Sequence, residues 1–290
     1  MMIRASIFDR VTEPWFAPEH EWGTDVQLCK RVRAAGYEVW CDTSIEIGHM
    51  QNEKRLITSD VIKKDTSTRE YEPLARLKKD ILEYLGMNFD QVVELAGEYD
   101  PRDVLNHKND LVSYYASRGN SQLARQLVYH HYPAVIEEMK MFHSKIRTDI
   151  PAYGAEYGCG AAPVSFEFAM RGHQMDFIDV DGSGAYEFTK WRARKYKVKA
   201  GFKLAGPYDY VMMLDSIEHI EDWRGVLGEV IPRIKDGGVL VTNYFQNRDF
   251  QNPEHISMDH AAVREFLKEA GLQSQSEVFW VKGNVQKEAA

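Results

Sequence analysis

From residue 152 to residue 281, short apolar runs alternate with segments whose apolar positions recur every three or four residues. The runs Ala152 to Tyr157, Met175 to Val180, Lys197 to Phe202, Tyr208 to Leu214, Gly238 to Phe245 and Glu277 to Val281 read as strands. The intervening segments read as helices: Pro163 to Arg171, Gly184 to Lys195, and one bearing Trp223, Val226, Leu227, Val230, Ile231 and Ile234. A last helix is capped by Asp259 and ended by Gly271. Strands and helices alternating at this length predict an α/β domain, a mostly parallel sheet with helices on both faces.

Upstream the pattern is different. Ser67 with Glu70 forms a capping box before Leu74, Leu77, Ile81 and Leu85, and Gly86 stops that helix. Asp100-Pro101 opens a second helix with Val104, Leu111 and Tyr115 on one face, closed by Gly119. A third starts near Asn120 with Leu123 and Leu127, and Pro133 breaks or restarts it before Val135, Ile136, Met139 and Phe142. The first fifty residues carry one helical stripe, Val26, Leu28, Cys29, Val32 and Ala35, stopped by Gly36 and followed by the strand-like Tyr37 to Trp40. The expected division is 1–55, a leading fragment; 56–145, an N-terminal helical segment or lid; and 146–290, the α/β domain.

Bulk properties narrow the function. A chain of 290 residues, 44% hydrophobic, is long enough for one large or two modest cores. Its net charge of -8 argues against nucleic acid as a partner, because binding to phosphates relies on clustered Lys and Arg. Cys29, Cys41 and Cys159 are far apart, so neither a disulfide framework nor a metal site is expected, and a reducing, cytoplasmic location fits. No run approaches the ~18 apolar residues of a membrane span.

Candidate chemistry starts at Glu156-Tyr157-Gly158-Cys159-Gly160-Ala161-Ala162, where the first strand of the sheet turns into its first helix. Glycines there let a ligand approach the backbone. About 20 residues further on, the second strand ends in Asp179-Val180, and an acidic side chain at such a tip can accept hydrogen bonds from both hydroxyls of a ribose. Nicotinamide dinucleotide enzymes and methyltransferases share this spacing.

The segment Tyr208-Asp209-Tyr210-Val211-Met212-Met213-Leu214-Asp215-Ser216-Ile217-Glu218-His219-Ile220-Glu221-Asp222 separates them. It resembles the fourth-strand region of class I methyltransferases, including the quinone-biosynthesis type. The resemblance extends to Gly172-His173, to Lys235-Asp236-Gly237-Gly238 and to Ala270-Gly271-Leu272. It implies a Rossmann-like, seven-stranded sheet and S-adenosylmethionine as cofactor. It also implies roles. Glu156, Tyr157, Gly158, Cys159 and Gly160 would line the methionine and ribose end, Asp179 and Val180 would take the ribose, and Leu214, Asp215 and Ser216 would border the cofactor at the end of strand four. Two departures stand out: Ala162 replaces the third glycine, and 197–207 lacks the acidic residue that commonly holds the adenine amino group.

His219 is the candidate catalytic residue, because an imidazole can take a proton from an acceptor hydroxyl. Tyr153, Trp223, Tyr244 and His255 are candidates for the acceptor pocket. The stretch Trp22-Gly23-Thr24-Asp25-Val26-Gln27-Leu28-Cys29-Lys30-Arg31, with Ala35 to Trp40 and His49, resembles the end of a GT-A family 2 glycosyltransferase. No nucleotide-binding half precedes it, so glycosyl transfer by this chain is not expected, but it suggests a saccharide context. The expected reaction is methyl transfer to an oxygen of a small molecule or saccharide. The alternatives are a nicotinamide-dependent oxidoreductase and a non-catalytic scaffold that keeps the fold.

Overall fold

The computed structural model describes residues 49–52, 55–57, 71–98, 101–107, 110–130, 133–146, 150–246, 253–256 and 259–283. The helix and strand expected within 26–40, the Ser67–Glu70 capping box and the acidic Asp25 lie outside the described residues. Strands β1 (His49–Asn52) and β2 (Arg55–Ile57) pair antiparallel in a unit that ends at Glu70. Everything from Tyr71 onward is a second compact unit.

That second unit is built on seven strands: β3 (Tyr153–Tyr157), β4 (Gln174–Ile178), β5 (Ala200–Gly201), β6 (Tyr208–Met213), β7 (Ile234–Thr242), β8 (Leu272–Ser274) and β9 (Phe279–Lys282). Their order is β5-β4-β3-β6-β7-β9-β8, with β9 antiparallel to both its neighbours and the other pairs parallel. The expected Rossmann-like architecture is therefore present.

Both faces of the sheet are covered. Alternation along β6 sends Tyr210 and Met212 to one face and Val211 and Met213 to the other. The first face packs on Phe166 and Phe168 of helix α5 (Ser165–Met170) and Tyr186 and Ala193 of α6 (Gly184–Tyr196). The second packs on Leu227 and Val230 of α7 (Trp223–Val230) and Val263 and Leu267 of α8 (His260–Glu269). Asp259 caps α8 by accepting from the Ala262 N–H, and Gly271 follows it at φ +84°, both as the sequence predicts.

From Tyr71 onward the expected helical segment is part of the same unit, whereas 56–70 falls in the first. Its helices are α1 (Glu72–Leu85), α2 (Phe89–Gly97), α3 (Leu111–Tyr129) and α4 (Pro133–Lys145). Leu74, Leu77 and Ile81 of α1 join Leu123 and Leu127 of α3 against Ala185 and Phe188 of α6. Beneath them Asp80 is fully buried and accepts from Arg192 Nε (3.1 Å), Lys195 Nζ (2.8 Å) and the Tyr196 hydroxyl (2.7 Å). Arg192 also donates to the Ala161 carbonyl at 3.3 Å, tying α1 through α6 to the glycine loop.

Several local expectations shift. The single helix expected from Asp100 to Gly119 is a 3-10 turn, Pro101–His107, followed by α3, which Asp110 caps through the Ser113 N–H. Val104 and Leu111 still cluster, with Tyr114 as their buried partner and the expected Tyr115 only partly buried against them, because a turn and a helix start can share a core without sharing an axis. Gly119, at φ +53°, interrupts the helical path of α3, so that one helical stretch ends there and the next begins at Asn120 as the sequence predicts; it approaches Gly184 so closely that a Cβ on Gly184 would lie 2.1 Å from the Gly119 carbonyl oxygen. Helix α2, capped by an Asn88–Gln91 box, was not expected.

Candidate functional site

In this topology the connection from β3 runs to one side and β6 lies on the other, so a crevice opens beyond the carboxyl ends of these two strands. A cavity of about 1420 Å³ occupies that place. All of Glu156, Tyr157, Gly158, Cys159, Gly160, Asp179, Val180, Leu214, Asp215, Ser216 and His219 line it. Helices α3 and α4 supply the opposite wall with Tyr115, Gln126, Tyr129 and Glu138.

The glycine loop is shaped by its neighbours. Gly158 and Gly160 have φ of +76° and +49°, which side chains disfavour. A Cβ on Gly158 would sit 2.5 Å from that of Ser216, so the loop lies directly on the turn after β6. The N–H groups of Gly158 and Cys159 both donate to the Ile178 carbonyl, at 2.8 and 3.1 Å. Ala162, where the resemblance leads one to expect glycine, also adopts a left-handed φ of +50°. The fold thus keeps the backbone conformation despite the methyl group.

Asp179 accepts from the Gly160 N–H at 2.6 Å on one oxygen and from the Val180 N–H at 2.7 Å on the other. Each carboxylate oxygen has a second lone pair and can accept once more. Burial raises its carboxyl above the ordinary range, opposed by those two backbone bonds. Glu156, buried at the end of β3, accepts from the Ser165 hydroxyl, and burial, followed by the charges of Asp179 and Asp215, pushes it up to about 8. Asp215 has φ +44° and is held by Asn243, which accepts from its N–H and donates to its carboxylate, both at 2.8 Å. Burial, then Glu218 and Glu138, raise Asp215 to about 6. The buried Ser216 hydroxyl has no hydrogen-bond partner among the described residues.

His219 sits in a 3-10 turn, Ile217–His219. Its Nδ1 is 3.0 Å from the Glu254 carbonyl oxygen and 3.0 Å from the Tyr115 hydroxyl. A carbonyl only accepts, so Nδ1 carries the proton and the lone pair of the neutral ring is on Nε2. The His255 ring lies 4.9 Å away, centroid to centroid. Of the four acceptor-pocket candidates, only His255 lines the cavity. Tyr153 lies at the far, amino-terminal end of β3, where it donates to Asp176 at 2.6 Å. Trp223 packs edge-on to Phe266, and Tyr244 is fully buried beside Phe245 and His260. Core packing claimed these aromatics.

Sequence reasoning overlooked Glu138, Asn243, Tyr115 and Gln126. They lie on other elements, and no spacing links them to the glycine loop. It also expected no metal ligands. The fold nonetheless collects Glu218, His219 and His255, one ligand atom from each lying within 4.8 Å of the others.

The cavity is strongly acidic. Its lining includes ten acidic side chains (Asp110, Glu138, Glu156, Asp179, Asp181, Asp215, Glu218, Glu221, Asp222 and Glu254) and, among the described residues, one arginine (Arg125) and no lysine.

Strand order, crevice and acidic tip define an α/β protein of the nucleoside-binding class. A family model described as a methyltransferase domain matches residues 130–277, more than half of the chain. The chain belongs to that family, which bears out the expected methyltransferase class. No curated protein matches it in sequence. Solved structures with similar sheets include an O-methyltransferase family protein from Burkholderia thailandensis, 11% identical with a TM-score of 0.43, covering 57% of this chain and 60% of that one. Another is the N-methyltransferase NodS from Bradyrhizobium japonicum in complex with S-adenosylhomocysteine, 18% identical, TM-score 0.42, covering 52% and 89%. A third is phosphoethanolamine N-methyltransferase 2 from Haemonchus contortus with S-adenosylmethionine, 15% identical, TM-score 0.44, covering 61% and 45%. The chain therefore spans less than two thirds of the first and third of these proteins. Among the described residues no helix is long and apolar enough to cross a membrane.

Proposed function

We propose that this chain moves the methyl group of S-adenosylmethionine to an oxygen of a small acceptor, with a saccharide as the preferred class. The observation that carries the donor is the charge of the cavity. A pyrophosphate-bearing dinucleotide would face ten acidic side chains, of which Glu156 alone is raised to about 8, and one arginine there, whereas a sulfonium and an ammonium group are attracted. The volume, about 1420 Å³, exceeds the range of roughly 300–1,000 Å³ usual for a single small ligand and leaves room for donor and acceptor together.

The residues fit the donor. Gly158 and Gly160 allow its methionine end close to the backbone, Asp179 has lone pairs left for two ribose hydroxyls, and the Ser216 hydroxyl is available to the ligand. S-adenosylmethionine supplies an electrophilic methyl on sulfur. The chain's own task is to hold the acceptor in line with it and keep water out. His219, pinned by Glu254, is the group proposed to activate the acceptor hydroxyl.

Preference for a saccharide draws on the glycosyltransferase-like stretch at 22–49 and on the carboxylates, which are good acceptors for sugar hydroxyls. The division into a leading fragment (1–55), a helical segment (56–145) whose helices α3 and α4 form the acceptor wall, and a donor-binding domain (146–290) belongs to the same proposal.

The test is a melting-temperature comparison of S-adenosylhomocysteine against NAD, followed by incubation of the full chain with methyl-labelled donor and a saccharide extract. S-adenosylhomocysteine alone should raise the melting temperature, and label should enter the saccharide fraction. Stabilisation by NAD instead would overturn the donor. Donor binding with no labelled product from any acceptor pool would favour the non-catalytic scaffold.

A further inference from the structure

We propose that Gln122, on the face of α3 that lines the cavity, holds the 6-amino group of the donor's adenine, so that the helical wall rather than the edge of the sheet reads the base. The proposal rests on the methyl-transfer reading and adds to it a residue that selects the donor.

Three observations lead to it. First, the Gln122 side chain lines the cavity, and its amide oxygen is buried with no hydrogen-bond partner among the described residues. An acceptor left in that state is destabilising, and a hydrogen donated by a ligand would relieve it. Second, α3 is pinned over the sheet on either side of Gln122. Three residues before it, the Gly119 carbonyl abuts Gly184 at the start of α6, where a Cβ would lie 2.1 Å from its oxygen. Four residues after it, the Gln126 amide oxygen accepts from the Ala161 N–H at 2.9 Å. Residues four apart share one face of a helix, so Gln122 stands between the glycine loop and the turn that follows Asp179.

Third, the sheet edge on the β5 side offers the base no free acceptor. No residue from Gly182 to Met213 lines the cavity. Asp176, the acid beside β5, is buried within β4 and accepts from the hydroxyls of Tyr153 at 2.6 Å and Tyr208 at 2.7 Å. Asp181 does line the cavity, but it is paired with Lys190 at 2.9 Å.

The chemistry of the amide matches what remains. Asp179 keeps lone pairs for the ribose hydroxyls, which leaves the amino group as the hydrogen donor of the nucleoside still to be placed. A carboxamide accepts from that amino group through its oxygen while its own N–H donates to the neighbouring ring nitrogen, a two-point pairing that suits glutamine to adenine. Being neutral, it also adds no charge to a cavity that ten acidic side chains line already.

The experiment compares two ligands on the full chain by calorimetry: S-adenosylhomocysteine and its analogue whose purine lacks the 6-amino group. The unmodified chain should bind S-adenosylhomocysteine at least about tenfold more tightly than the analogue, since a site built to pair with a polar group rejects the ligand without it. Q122L should weaken S-adenosylhomocysteine about tenfold and bring the two ligands within about threefold of each other. A purely structural role for Gln122 would weaken both ligands alike and leave their ratio unchanged. Q122A makes the same comparison should the leucine variant not fold. Equal binding of the two ligands by the unmodified chain, or a preference that the Gln122 variants keep, overturns the assignment while the donor reading stands. Binding of neither ligand by the unmodified chain overturns the donor reading, and this proposal with it.

Discussion

The two ends of the cavity are assembled by different means. At the end proposed for the donor, the glycine loop, the tip of β4 and the turn after β6 are adjacent through the sheet, and backbone groups do most of the work: Gly160 and Val180 hold Asp179, and Gly158 packs on Ser216. At the end proposed for the acceptor, Tyr115 comes from α3, Glu138 from α4, His219 from a 3-10 turn, Asn243 from beyond β7 and His255 from a separate loop. A site made by backbone geometry is encoded in a few consecutive residues. One made by converging side chains is encoded only in the way the helices pack.

The largest expected effect tests whether the helical wall is structurally part of the sheet unit. Asp80→Ala leaves Arg192 buried without its carboxylate and should lower the unfolding free energy by about 3–5 kcal/mol in urea titrations; a loss below about 1 kcal/mol would mean α1 contributes little to the wall. Next, Asp179→Ala should weaken S-adenosylhomocysteine about 100-fold by calorimetry, roughly 2.7 kcal/mol, since hydrogen bonds to a charged group contribute about 1.5–3 kcal/mol each. Unchanged affinity would remove the donor from that end. Gly158→Ala forces a methyl group against Ser216 at positive φ and should cost about 1–3 kcal/mol of stability, read from the shift in unfolding midpoint.

Glu156 supplies a pH test of the donor end. Its carboxyl is raised from 4.5 to about 8 in the folded chain. At pH 4.5 and below, both states hold the proton and the contribution to stability is fully present. As pH rises towards 8 the unfolded chain gives up a proton that the folded chain retains, so stability falls, by up to about 1.4 kcal/mol per pH unit, and levels off above. Glu156→Gln should flatten the slope between pH 5 and 7.5 in urea unfolding; an unaltered slope would assign it to other groups. The smallest effect belongs to the acceptor end. Tyr115→Phe removes one hydroxyl beside His219 and should cost less than about 1.5 kcal/mol, with S-adenosylhomocysteine affinity within about threefold. A large loss of that affinity would show that the two ends are not separable.

The sheet and the donor end were legible because their signals are local. Short apolar runs marked β3, β4 and β6, and Gly158, Gly160 and Asp179 mark the two strand tips by spacing alone. Where the local signal was thin, reading failed. β8 has one buried residue, Leu272, and is a strand because β9 pairs with it. β5 shrinks to Ala200–Gly201, and a Cβ on Gly201 would lie 2.1 Å from the Asp176 carboxylate. Helix α2 did carry a visible cue, the Asn88–Gln91 box, which its short length obscured.

The order of apolar and polar residues by itself determined the α/β class, the strands that meet at the crevice, and a glycine turn facing an acidic strand tip, since these depend on contacts a few residues long or on the period of one element. Only the tertiary structure decided which aromatics are core rather than pocket, that Asp80 locks the helical wall to α6, and that His255 lies beside Glu218 and His219. The physical reason is distance along the chain. Those relations are fixed by how whole helices and loops dock, and docking is set by the sum of many weak apolar contacts that no single stretch of sequence contains.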